Sequence, residues 1–239
     1  MPAAQSADSG IDTAPNIEEA RRRIAQAATA GLEELDLGGL NLCDVPEEVF
    51  ALTQLKRFYM GRERTGGSAP TSLGGGARNR LATINPRLFT SLTKLETLDL
   101  AANELTSLPI EVASLQALEA LFLGSNALAS LPEEIGSLQY LSQLDVTANN
   151  LTALPAGVCR CRKLVFLNIM GNKLTSLPPE IGARDALQEF VLDGNQLSLL
   201  PPEVGQLSSL EVLSIRGHQT PAKVGLTALP PEVGRLTRP

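Results

Sequence analysis

The chain has 239 residues, of which 43% are hydrophobic, 3% aromatic and 19% charged, with no Trp. Its apolar content is therefore aliphatic, and no run reaches the roughly 18 apolar residues that a membrane-spanning helix needs, so no membrane insertion is expected. A net charge of −6 argues against a nucleic-acid partner, because neutralising phosphates takes a basic face. Three cysteines, Cys43, Cys159 and Cys161, make no even disulfide framework. Residues 1–16 have neither the basic start nor the apolar stretch of a signal peptide, so a cytoplasmic chain is expected.

In chain order, residues 1–15 read as a disordered tail. Residues 16–31 then read as a helix, with Asn16 as N-cap and Glu19 at the third helical position. Its apolar stripe is Ile17, Ala20, Ile24, Ala27 and Ala28, and it stops at Gly31.

From Leu32 onward the sequence repeats. Leu98, Leu121, Leu144, Leu167, Phe190 and Leu213 follow one another at intervals of 23. Units start near Leu32, Leu55, Leu95, Leu118, Leu141, Leu164, Leu187 and Leu210, which makes eight. In each, apolar and variable residues alternate, as in Ala120, Leu121, Phe122 and Leu123, the period of a short strand buried on one face. The second half, such as Pro132 to Leu138, has apolar residues three apart behind a proline and predicts one turn of helix or 3₁₀-helix. One unit cannot close a core; stacked units can, as a solenoid with a parallel sheet on its inner side.

Two units are irregular. The step from Phe58 to Leu98 is 40, which places about 16 extra residues over 62–78 and one more near Ser91 or Leu92. That insert is rich in Gly and Ser and reads as a solvated loop. A second insert spans 219–225. The last unit shows no polar terminal repeat, so the open edge at Leu226, Leu229, Val233 and Leu236 is expected to fray, to self-associate or to continue into further sequence.

The unit L-x-x-L-x-L-x-x-N-x-L-x-x-L-P-x-x-(I/V)-x-x-L, as in Leu118, Leu121, Leu123, Asn126, Leu128, Leu131, Pro132, Ile135 and Leu138, resembles the leucine-rich repeat. The resemblance covers about residues 32–239. It implies an α/β solenoid, a horseshoe with a concave parallel sheet and short outer helical or 3₁₀ segments, in which helix 16–31 is the N-terminal cap. The L-P-x-E-(I/V)-G units at Leu131 and Leu177 look like Ras-group leucine-rich repeats, which implies a scaffold in intracellular signal transduction. Such units also occur in bacterial Roco GTPases and in type III effectors with ubiquitin-ligase domains. The alternative is therefore the recognition arm of a larger enzyme, decided by the sequence beyond Pro239.

Candidate chemistry is sparse. The asparagine column Asn79, Asn103, Asn126, Asn149, Asn172 and Asn195 fits a buried bridge between backbone groups better than a ligand ladder. His218 stands in that column with no nucleophile spaced beside it. Cys159-Arg160-Cys161 lacks a partner pair for zinc, and Cys161 takes a core leucine position. The Gly-rich insert has no GK[ST] and the chain no G-x-G-x-x-G. No catalytic residue, metal or cofactor is assigned, and the chain is not expected to be an enzyme. The concave columns remain as the expected protein-binding face: Tyr59, Asp99, Phe122, Asp145, Phe166, Asn168, Met170, Val191, Asp193 and Arg216. There an apolar group around Phe122 and Phe166 has acidic neighbours, and Arg216 is placed to pair with Asp193.

Overall fold

In the computed structural model, residues 14–62, 77–183, 185–217, 226 and 229–235 are described. The expected tail, both inserts, His218 and Leu236 lie wholly or largely outside them. Among the described residues, eight strands form one parallel sheet in sequence order. They are β1 Glu34–Asp36, β2 Arg57–Tyr59, β3 Thr97–Asp99, β4 Ala120–Phe122, β5 Gln143–Asp145, β6 Phe166–Asn168, β7 Glu189–Val191 and β8 Val212–Ser214.

The register follows from the repeat. The central residues Leu35, Phe58, Leu98, Leu121, Leu144, Leu167, Phe190 and Leu213 stand side by side across the sheet. All but Leu213 are buried, each adding about 1.5–3 kcal/mol of apolar burial. Because successive units are nearly identical, every layer meets a copy of itself, and aliphatic chains of one size fill the core from end to end.

Most outer segments are single 3₁₀ turns, such as Ile110–Ser114, Glu133–Ser137 and Pro202–Gln206. Each is closed by an i→i−3 bond, as where the Leu115 N–H donates to the Val112 carbonyl at 3.1 Å and that of Leu138 to Ile135 at 3.1 Å. Pro109, Pro132 and Pro201 stand just before their turns in extended conformation. The second unit differs: its outer segment is the α-helix Arg87–Ser91, and the Leu92 N–H reaches back four residues to the Leu88 carbonyl at 3.0 Å. The extra residue near Ser91 is the cause, since one more residue between two fixed core leucines converts an i→i−3 turn into an i→i−4 one.

The N-terminal helix α1, Ile17–Ala30, covers the edge of β1. The Asn16 side chain accepts the Glu19 N–H, and Gly31 closes the helix in left-handed conformation. Ala20, Ile24 and Ala27 are buried as the stripe requires, whereas Ile17 and Ala28 are exposed, because the cap meets one edge of a narrow core. Arg23 fastens it by donating to both the Glu19 carboxylate at 2.6 Å and the Asp36 carbonyl at 3.0 Å. At the other end, Leu226 and Val233 pack partly against the core and Leu229 is exposed.

Between the sheet and the outer turns the asparagines form a ladder. The Asn149 Oδ1 accepts the Leu128 N–H of the preceding unit at 3.0 Å. Its Nδ2 donates to Leu123 of that unit and to Val146 of its own, both at 3.0 Å. Asn103, Asn126, Asn172 and Asn195 repeat the pattern. Asn79 restores it after the insert, taking the Leu40 and Leu42 N–H groups and donating to Leu37 and Met60.

Asn149→Ala leaves the Leu128 N–H unpaired inside the solenoid, while the Leu123 and Val146 carbonyls keep the Asn126 and Asn172 amides, and a loss of about 1–3 kcal/mol is expected in denaturant unfolding. The helix cap gives a second expectation. Hydrogen bonds from Arg22 and then Arg23 lower the Glu19 pKa from 4.5 to about 2. A carboxylate with a lowered folded pKa stabilises fully above the unfolded value and loses that contribution as pH falls through the folded one. An NMR titration should therefore show the Glu19 carboxyl ionised to about pH 2, with α1 loosening between about 4.5 and 2.

Candidate interaction face

The concave surface consists of the residues that flank the buried strand centres. The first column is Glu34, Arg57, Thr97, Ala120, Gln143, Phe166, Glu189 and Val212, and the second Asp36, Tyr59, Asp99, Phe122, Asp145, Asn168, Val191 and Ser214.

The second column contains turn formers. Where it holds Asp or Asn, the side-chain Oδ1 accepts the N–H two residues on: Asp36 from Gly38, Asp99 from Ala101 and Asp145 from Thr147 at 2.8 Å, and Asn168 from Met170 at 3.1 Å. These local bonds end each strand where the chain must bend toward the asparagine ladder. They also draw the carboxylates inward. Asp99 is 3% exposed, Asp145 9% and Tyr59 5%, so three expected concave groups are buried rather than open to solvent. Gly61 makes room for Asp99, because a Cβ there would lie 2.9 Å from its Oδ2.

The two ends of the face are internally paired. On β1 and β2, Arg57 donates to Glu34 at 2.7 Å and Lys56 lies 3.0 Å from Glu33; these contacts raise the pKa values of Arg57 and Lys56. Toward β8, Asp193 accepts the Ser214 hydroxyl at 2.6 Å and the backbone N–H of Arg216. The contact found between Asp193 and Arg216 thus runs through the main chain, and the Arg216 side chain is exposed.

Between those ends lies a cleft of about 580 Å³ lined by Phe122, Ser142, Gln143, Asp145, Val165, Phe166 and Glu189. The rings of Phe122 and Phe166 both reach it and are half-buried. Asn168, Met170 and Val191 are half-buried too, while Val212, at 46%, is exposed. The structure thus brings Phe122, Asp145 and Phe166 into one cleft; the other expected residues lie outside its lining. Sequence reasoning missed Ser142 and Val165, which stand one residue before β5 and β6, a position the strand alternation does not single out.

A second cleft, of about 770 Å³, lies at the base of the first insert, where Arg62, Arg78 and Arg80 meet Asn41 and Glu104. Arg78 and Glu104 approach to 3.8 Å. The remaining candidates are structural. Cys159 and Cys161 are buried, with the Cys161 sulfur bonded to the Ile135 carbonyl at 3.3 Å. Among the described residues, no helix is long and apolar enough to cross a membrane.

Comparison with known proteins agrees with this architecture. Residues 77–128 match the family model for the leucine rich repeat. No curated protein sequence matches the chain. Among solved structures, a leucine-rich-repeat protein of Leptospira interrogans is 27% identical over 89% of this chain, with a TM-score of 0.59, and the chain covers 60% of that protein. The leucine-rich-repeat domain of the type III effector XopL shares the fold at 23% identity and a TM-score of 0.73, over 96% of this chain and 82% of that one. An internalin from Listeria monocytogenes shares it at 20% identity and a TM-score of 0.61, over 90% and 61% respectively.

The turn-forming column can be tested for stability. Asp145→Ala removes the acceptor of the Thr147 N–H, and a loss of about 1–2 kcal/mol is expected in thermal or denaturant unfolding. Asp145→Asn, which keeps the acceptor, is expected to unfold near wild type.

Proposed function

We propose that this chain, a leucine-rich-repeat solenoid by its fold and by the match over residues 77–128, is a non-enzymatic interaction module that binds a protein partner on its concave face, around Phe122 and Phe166. One observation carries the reading: two aromatic rings share an open cleft on a sheet face over which no second layer of the described chain packs. A ring on such a face does nothing for the core, and desolvating it against a partner is what gives interface anchors their energy. The stacked solenoid supplies the other requirement, a rigid curved surface whose backbone does not have to be ordered on binding. The L-P-x-E repeat type supports a role as a cytoplasmic scaffold in signal transduction.

The experiment is affinity capture from the source cells followed by mass spectrometry, with wild-type protein and the Phe122→Ala, Phe166→Ala double variant as paired baits. Truncating a central aromatic anchor commonly costs about 2 kcal/mol or more, so a specific partner is expected to bind the double variant more than about tenfold more weakly. The melting temperature should hardly move, since neither ring belongs to the core. Equal capture by both baits would remove the concave face from consideration.

A further inference from the structure

The charge of this chain is unevenly placed. The windows that open one residue before each strand and close two residues after it are 33–38, 56–61, 96–101, 119–124, 142–147, 165–170, 188–193 and 211–216. Together they hold ten carboxylates and three cations, while the other 191 residues hold 16 carboxylates and 17 cations. The net negative charge therefore belongs to the sheet and the lip beside it, and the rest of the molecule is close to neutral.

Within that surface the paired ends contribute little. Glu33 and Glu34 have Lys56 and Arg57 across β1 and β2, and Asp193 bonds within its own neighbourhood. The middle differs. Glu189 is exposed and lines the cleft with Phe122 and Phe166, Glu119 is exposed one residue before β4, the strand that carries Phe122, and the largely buried Asp145 adds its charge at the cleft wall. A concave surface lined by one sign of charge concentrates its field on whatever enters. Aromatic faces beside carboxylates suit an apolar side chain with cations next to it, through ring contact, cation–π attraction and charge-assisted hydrogen bonds.

We propose that the concave face recognises a basic protein segment carrying Lys or Arg on both sides of an apolar side chain. The apolar side chain lies between Phe122 and Phe166. The flanking cations meet Glu119 at the lip before β4 and Glu189 on β7. The inference rests on the concave face being the binding face and adds the chemistry of what it binds.

The probe is the synthetic peptide Gly-Lys-Arg-Lys-Phe-Lys-Arg-Lys-Gly with blocked ends. It is compared with the same peptide carrying Glu in place of every Lys and Arg, and with a version carrying Gly in place of Phe. Binding is read by fluorescence anisotropy at about 50 mM and about 300 mM salt. The basic Phe peptide is expected to bind, the acidic one not, and the Gly-centred one more weakly. Glu119→Lys with Glu189→Lys is expected to cost about tenfold or more in affinity and to abolish the salt dependence. Glu134→Lys with Glu180→Lys makes the same change in net charge on the outer turns and is expected to bind within about twofold of wild type. Melting curves establish that both variants are folded.

Failure of the basic peptide to bind, binding of the acidic one as tightly, or an equal loss from outer and concave reversals would each overturn the proposal. In those cases the concave reading still stands or falls on the phenylalanine pair and the captured partner. If instead the basic peptide binds and loses affinity on concave charge reversal, but neither Phe122→Ala with Phe166→Ala nor the Gly-centred peptide changes it, the proposed apolar contact is wrong.

Discussion

The structure depends on one buried hydrogen-bond pattern, the asparagine ladder. A solenoid whose units each bend twice must bury backbone groups at the bend, where neither sheet nor helix can pair them. An asparagine side chain offers an acceptor and two donors in one plane, and each described member uses both functions to join its own unit to the one before. The leucines supply most of the burial energy, but they would tolerate sliding and rotation. The ladder fixes the spacing and the phase between units, so a short strand of three residues can still take part in an eight-stranded sheet.

That division of labour leaves the concave face free. The strand centres and the ladder carry most of the needs of folding from one side of the sheet, and the flanking positions that hold neither a turn former nor a buried ring are left without packing duty. The second column shows how far this freedom extends. Where it holds Asp or Asn, the side chain shapes the bend; where it holds Phe122 or Val191, the bend forms without that bond. The units with an aromatic or aliphatic side chain there are those that can present an apolar surface, and their acidic neighbours on either side give that surface its electrostatic character.

The first insert shows the tolerance of the same design. Extra residues enter immediately after β2, and the chain returns in register because Asn79 takes the ladder position of its unit. Gly38 stands against the base of the insert, where a Cβ would lie 2.4 Å from the Arg62 carbonyl oxygen. The single extra residue on the outer side is absorbed differently, by exchanging a 3₁₀ turn for the α-helical Arg87–Ser91. Loop length costs little where the ends are held close together, whereas a residue added between two core leucines must change the local helix type.

The sequence by itself determined the repeat, its spacing, the strand register, the core leucines and the structural use of the asparagines, because each is a periodic demand that every unit states again. The capping helix was legible from its own signals, although two of its five apolar positions turned out exposed. Tertiary structure decided the character of the concave face. Alternation says which way a side chain points but not how deep its neighbours leave it, so Tyr59, Asp99 and Asp145 read as exposed and are buried. Ser142 and Val165 lie outside the alternating strand residues, yet they line the cleft because it runs past the starts of β5 and β6. The sequence shows which residues share a face, and the bend of the solenoid decides which of them share a site.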